Sequence, residues 1–356
     1  MRDRVGYARR ARVFLIAAVI ATVGGAVGAS PGRPSTVHSP SKLYWGAWIG
    51  SHLTGREAPW DMNAVSDFER LARKGASIVH FSSPFSNCSS SPCSFYAFPT
   101  NQMQAIRQHG SIPFLSWASD SYPVTTDEPN FQLADVVAGA YDTYIRSFAA
   151  AAKAWGHPFF LRFNWEMNGD WFPWAESANG NQPGDSVAAW RHVHDIFASV
   201  GASNATWVWC PNVGYATNLA ARYPGDAYVD WTCLDGYNRA QPWKSFTSLF
   251  GASYQLITTS IAPSKPMIVG ETGATEAGGS KSWWIADALT VVRTQFPKIK
   301  GFVYFDKFGT MDWPIETSST AQAAFASGIA SPAYARNRFA SIKTSPIPPL
   351  GWRSWR

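Results

Sequence analysis

Two glutamates stand out by the company they keep. Glu166 lies in "FFLRFNWEMNGDWFPW", residues 159–174, where seven of sixteen residues are aromatic. Glu271 lies in "KPMIVGETG", where an apolar run ends. A carboxylate among rings is desolvated, and desolvation raises its pKa. An acid that keeps its proton near neutral pH can give it to a leaving group, while a second, ionised carboxylate attacks carbon. One acid and one nucleophile among flat aromatic faces describe the cleavage of a glycosidic bond. Retention of configuration would place the two carboxyl groups about 5–5.5 Å apart, and inversion roughly 6.5–9.5 Å. The plainer alternative is a pair of rim ion pairs, with Arg162 the ready partner of Glu166. Two long acids at two strand ends favour the chemical reading.

Something must hold them face to face. Short apolar runs recur along the chain: "LYWGAWIG" from 43, "SIVHFSSPF" from 77, "SIPFLSWAS" from 111 and "FFLRFNWEM" from 159. They continue with "ATWVWCPN" from 205, "WTCLDGYN" from 231, "PMIVGETG" from 266 and "GFVYFDKF" from 301. Their starts are 26 to 48 residues apart, the length of a strand plus a crossover helix. Between them, helical stripes are predicted at Val65–Phe68–Leu71–Ala72 stopping at Gly75, and at Val137–Tyr141–Tyr144–Ile145–Phe148–Ala152 stopping at Gly156. Two more run through Trp190–Val193–Phe197, stopping at Gly201, and Ile285–Leu289–Val292–Phe296. Eight strands apolar on both faces, alternating with helices, predict a single-domain (β/α)8 TIM barrel over residues 43–342. The alternative is an open doubly wound sheet, against which the lack of a Gly-rich loop after the first strand counts.

In such a barrel catalytic groups gather at the C-terminal ends of strands. Glu166 ends the fourth run and Glu271 the seventh, and these strands lie across the barrel. Arg162, Asn164 and Glu166 have period-two spacing and should share one face of their strand.

The rest of the chain narrows the partners. Residues 1–29 carry five arginines against Asp3, four of the six formal positive charges, so the remainder is near neutral and nucleic acid is not expected. "RDRVGYARRAR", then "VFLIAAVIATVGGAVGA", reads as an export signal ending at Ala29, through the general or twin-arginine route. If uncleaved it would be a membrane anchor, though seventeen residues with three glycines make a weak span. A Pro/Ser linker follows over 30–42, and 343–356 form a tail with no assigned role. The expectation is a secreted monomer without cofactor or metal. Four cysteines suit an oxidising compartment: Cys88 and Cys93 bracket a short loop, and Cys210 and Cys233 could meet if their runs are neighbours, or remain buried thiols. His192 and His194 are two apart on a helix and face different ways, and His52 and His80 are isolated, so none suggests a metal. No Gly-x-Ser-x-Gly elbow is present.

With the glutamates placed, the sequence from about Leu43 to Phe325 resembles glycoside hydrolase family 26, which holds β-mannanases and some lichenases and β-1,3-xylanases. Arg162 four residues before Glu166, then Glu166-Met167-Asn168-Gly169 and Trp171, is similar to the family's acid/base motif. The resemblance implies a retaining enzyme with Glu166 as acid/base and Glu271 as nucleophile. It implies that Tyr237, in "DGYN", contacts the nucleophile, and that Trp313, in "DWPI", floors the sugar site. Arg162, Trp165, Asn168, Trp171, Trp174, Tyr237 and Trp313 are thus the expected substrate-binding residues. The chain departs from family mannanases at Trp165, where they usually have histidine. Indole offers a single N–H donor. The expected substrate is therefore β-mannan first, then a mixed-linkage β-glucan or β-1,3-xylan. A barrel that binds carbohydrate without cleaving it is the contrasting class. Trp171, Phe172 and Trp174, with Trp48, Trp117, Trp243 and Trp313 near other strand ends, are expected to line an open cleft, apart from those claimed by the core.

Overall fold

The computed structural model describes residues 42–214 and 218–351. The expected signal, all but the last residue of the linker, and residues 352–356 lie outside them.

Eight parallel strands close into a barrel. They are β1 (Tyr44–Ile49), β2 (Ile78–Asn87), β4 (Ile112–Tyr122), β5 (Phe159–Phe163), β6 (Ala205–Trp209), β7 (Trp231–Asn238), β8 (Met267–Ala274) and β9 (Ile299–Asp306). Neighbours pair in sequence order, and β1 pairs with both β2 and β9, which closes the ring. The strand β3 (Ser94–Phe95) is a two-residue antiparallel addition to the far end of β2. All eight barrel strands coincide with the apolar runs, because strands covered on both faces read as unbroken hydrophobic stretches. The open sheet is excluded by the closing pairs.

The helices are α1 (Met62–Ala72), α2 (Thr100–His109), α3 (Leu133–Val137), α4 (Asp142–Trp155), α5 (Asp185–Val200), α6 (Phe246–Leu256), α7 (Lys281–Thr294) and α8 (Ser319–Ile329). Three details correct the sequence reading. The stripe expected from Val137 to Ala152 is two helices, broken at Gly139, whose φ of 86° ends α3. The helix α1 ends on Arg73 in the left-handed region rather than at Gly75. Trp117 faces outward and stacks flat on Phe148 of α4 at 4.1 Å, so it belongs to the core.

The tail is not idle as far as Gly351. Ile347 is buried, its N–H donates to Thr206 Oγ1 at 2.9 Å, and its carbonyl accepts from Trp231 Nε1 at 2.8 Å. The Tyr44 hydroxyl donates to the Pro348 carbonyl at 2.8 Å. Thr206, Trp231 and Tyr44 lie at strand starts, so the tail covers the barrel floor, opposite the mouth. Ile347→Ala is expected to cost about 2–5 kcal/mol, because the cavity left there cannot collapse against strand backbone. Thermal unfolding would read this as a lowered midpoint with unchanged chemistry at the mouth.

Candidate functional site

β5 stops at Phe163, three residues before Glu166. Asn164 and Glu166 then adopt φ of 41° and 54°, the left-handed region that costs side chains about 1 kcal/mol or more. The expected shared face is therefore lost. Asn164 turns to β4, accepting from Ser119 N–H at 2.9 Å and donating to its hydroxyl at 2.8 Å. Glu166 turns into the mouth, its N–H held by the Cys210 carbonyl at 2.7 Å. Its carboxyl accepts from Trp171 Nε1 at 2.7 Å and Asn212 Nδ2 at 2.5 Å. Asn168 fixes Asn212 in turn by a reciprocal pair of bonds to its backbone, both 2.8 Å. Asn168 thus orients a partner of the acid.

Glu271 lies inside β8, not at its end. Leu234 pairs with Val269 but Asp235 pairs with Glu271, so Gly270 is the extra residue of a bulge. Bulges re-aim side chains beside active sites. A Cβ on Gly270 would lie 2.5 Å from Cys233 Sγ and 2.7 Å from Asp235 Oδ1, so only glycine fits. Glu271 accepts from Arg162 Nη2 and from the Tyr237 hydroxyl. Tyr237 thus makes the contact that the resemblance implied.

Arg162 does not pair directly with Glu166. It is wholly buried under the site, bonded to Glu271, to Asp235 Oδ2 at 2.5 Å and, through Nε, to Ser116 Oγ at 2.7 Å. Its Nη2 also meets His80 Nε2 at 3.2 Å. A guanidinium only donates, so Nε2 is the accepting nitrogen. Burial and the Arg162 charge push the His80 pKa well down, so the ring stays neutral. Trp165 lies over the guanidinium, 4.9 Å from ring to carbon, and roofs it from the cleft. Arg162 is therefore a foundation for the carboxylates rather than the substrate contact expected of it.

Three carboxyl groups thus surround one fixed cation. In a poorly solvated site they cannot all ionise, and burial pushes the Asp235 carboxyl well up against the pull of the Arg162 charge. Burial, then the charge of Glu271, raises the Glu166 pKa to about 7. The stability consequence has a definite sign. A raised acid stabilises the fold fully below its unfolded value near 4.5, and that contribution is lost as pH rises to about 7. Glu166→Gln escapes this loss, about 3 kcal/mol from the shift, but its amide accepts from only one of two donors, a cost of ~1 kcal/mol. The variant should melt above the wild type at pH 8 and slightly below it at pH 4. Parallel melting curves with no crossover would show that Glu166 is not the protonated group.

Two cavities meet at these residues. One, about 500 Å³, is lined by Trp48, Trp165, Trp171, Phe172, Asp120 and Lys307 among others. The second, about 410 Å³, is lined by Asn212, Val213, Arg239 and Leu249. Glu166, Trp171 and Tyr237 border both. Of the expected aromatic platforms, Trp171 and Phe172 are half-exposed. Trp174 is buried, stacks on Phe172 at 4.2 Å and lines the larger cavity with it. Trp313 lies 4.9 Å from the Tyr237 ring, beneath it, and Trp243 packs on Gly279 away from both cavities.

Sequence reasoning missed Asp235, Ser116 and Asn212. Asp235 was in view, two residues before Tyr237, and an acid inside an apolar strand was the available signal. The cysteines form Cys88–Cys93 and Cys210–Cys233 disulfides, the second joining β7 to the residue after β6 directly beside Arg162. Among the described residues two groups bring three ligand atoms within 4.8 Å, Cys210–Cys233–Asp235 and His52–Asp306–Glu316. The first is spent on a disulfide. In the second, burial alone would lower the His52 pKa, but Asp306 and Glu316 raise it to about 9, so an imidazolium takes the place a cation would need. His52 thus links the loops after β1 and β9. His192 pairs with Asp142 at 2.7 Å and His194 packs on Trp207 and Tyr228.

A closed parallel barrel with a carboxyl pair across its mouth, one acid raised toward neutrality and the other held by donors, is the layout of (β/α)8 glycosidases. Residues 59–306 match glycosyl hydrolase family 26, and the chain belongs to that family. Endoglucanase H of Acetivibrio thermocellus is 34% identical over 301 residues, 81% of this chain and 30% of that protein. A mannan endo-1,4-beta-mannosidase of Bacillus subtilis is 27% identical over 149 residues, 40% of this chain and 37% of that protein. The chain spans about a third of the length of these curated relatives. The solved structure of a modular endo-beta-1,4-mannanase from Cellulomonas fimi aligns with a TM-score of 0.64 at 17% identity, covering 84% of this chain and 72% of that one. That likeness concerns the fold.

Proposed function

We propose that this chain is a secreted, monomeric, retaining endo-β-glycosidase acting on the main chain of a β-linked polysaccharide. The observation that carries the reading is the pair of cavities meeting at Glu166, which leaves room for a sugar chain on both sides of the bond to be cut. Glu271 attacks the anomeric carbon as the bond to the leaving oxygen breaks, and Glu166 gives that oxygen its proton. Glu166, now ionised, then takes a proton from water as the water's oxygen displaces Glu271 from the same carbon. Tyr237 and Arg162 hold Glu271 for attack, and Trp171 and Asn212 hold Glu166. Trp171 and Phe172 stack on sugar rings. Export is supported by the pattern of residues 1–29 and by two disulfides.

β-Mannan is the first substrate, supported by the mannosidases among the relatives and by the acid/base motif. A mixed-linkage β-glucan is the second, favoured by Trp165 in place of histidine and by the longer match to an endoglucanase. The two differ at the 2-hydroxyl, axial in mannose and equatorial in glucose. A panel of mannan, glucomannan, lichenan, β-1,3-xylan and arabinogalactan, read by product length, tests the proposal. Early oligosaccharides from one polymer support it and name the substrate. Monosaccharide alone from every active polymer overturns endo action. Retardation in polysaccharide gels without any product, unchanged in Glu271→Gln, would favour a binding protein instead.

A further inference from the structure

On β4, the side chains of Phe114, Ser116, Ala118 and Asp120 fall on one face by the two-residue period of a strand. Ser116 marks that face as the barrel interior, since it holds Arg162. Asp120 is the last of the series and lines the larger cavity together with Trp165, Trp171 and Phe172. It is 5% exposed, and its Oδ1 is enclosed without a hydrogen-bond partner. A buried oxygen without a partner costs about 1–3 kcal/mol, so such a group in a cleft marks a place where a ligand completes the bonding.

Several neighbouring polar side chains are already engaged. Ser121 donates to Glu128 at 2.9 Å and Ser83 to the Pro84 carbonyl at 3.2 Å. Tyr237 is bonded to Glu271 and Lys307 to Glu57. Trp165 and Trp171 present indoles, which have no acceptor. The wall of rings therefore gives a sugar stacking faces, and Asp120 gives it a carboxyl whose bonding is incomplete.

We propose that Asp120 is a substrate-binding residue of the cleft, its carboxyl hydrogen-bonding a ring hydroxyl on a hexose unit seated among Trp165, Trp171 and Phe172. The inference rests on the glycosidase reading and adds to it a polar contact that selects among sugars. Burial, then the charge of Glu128, pushes the Asp120 pKa well above the usual carboxylate range. A neutral carboxyl both accepts and donates, so it can take a hydrogen from one ring hydroxyl and give one to its neighbour, whereas an ionised carboxylate only accepts. Asparagine, with one acceptor and one donor in the same plane, is the near equivalent of that neutral carboxyl.

The test compares the wild type with Asp120→Ala and Asp120→Asn on the polymer cleaved best, and on oligosaccharides cut from it. Asp120→Ala should raise KM about tenfold or more, the worth of one hydrogen bond, with kcat within about threefold. Asp120→Asn should recover most of that loss. Both variants should melt close to the wild type, since Oδ1 has no protein partner and the carboxyl's backbone hydrogen bond is to its own residue. An unchanged KM in Asp120→Ala overturns the proposal, as does a loss confined to kcat or a loss that tracks a fall in melting temperature. If the wild type cleaves nothing, the proposed function fails separately. Asp120 is then judged by gel retardation in the polysaccharides named above, where equal migration of wild type and Asp120→Ala would overturn the role.

Discussion

Glu271→Gly is expected to lose turnover by several orders of magnitude, and azide should restore part of it with inverted anomeric configuration. Removing the nucleophile leaves a space beneath the anomeric carbon, bounded by Arg162 and Tyr237. A small anion can enter there and attack directly, while Glu166 still supplies the proton. Glu166→Ala should behave differently. Its loss should be about 10²- to 10⁴-fold on natural polymer but small on substrates with an activated leaving group, which needs no proton. Azide should then intercept the glycosyl ester on Glu271 and give a product of retained configuration. Proton NMR of the two azide adducts assigns both roles. The opposite configurations would exchange them, and no adduct from either variant would remove the covalent intermediate from the scheme.

Arg162→Met is expected to cost about 3–5 kcal/mol of stability and to abolish detectable activity. The guanidinium is fully buried between Asp235 and Glu271, and its removal leaves two carboxylates facing each other without a counter-charge. Arg162→Lys separates charge from shape. Its ammonium restores one positive charge and should recover part of the melting temperature. It cannot span both carboxylates and Ser116 as the planar fork does, so turnover should stay down by about 100-fold or more. Adding Asp235→Asn to Arg162→Met should raise stability above that of the single variant, because an uncompensated charge is removed. A wild-type melting temperature for Arg162→Met would contradict the charge arrangement described for the site.

The barrel was legible because its strands are buried on both sides, which leaves eight apolar runs at crossover spacing. Four stripes, covering five helices, were clear enough to read. The other helices were not, for opposite reasons: α2 buries only Met103 and Ile106 among polar neighbours, while α6 and α8 are apolar or small almost all round. Glu166 and Glu271 were found by residue type and company, but their aim was not. One is turned by left-handed backbone at Asn164 and Glu166, the other by a bulge at Gly270, and neither breaks the strand pattern in the sequence. Arg162 was given the wrong neighbour for the same reason. A regular strand would have put Glu166 above it, whereas the turned backbone leaves that place to Glu271.

The meeting of two cavities at Glu166 has a consequence for a polymer in solution. A chain lying across the mouth, with both of its ends free, can be cut anywhere along its length. One cut near the middle of a long chain halves it while creating a single new reducing end. The viscosity of a polysaccharide solution should therefore collapse while reducing sugar has barely risen. A site walled at one end would do the reverse, shortening every chain slowly from its tip and leaving the solution thick.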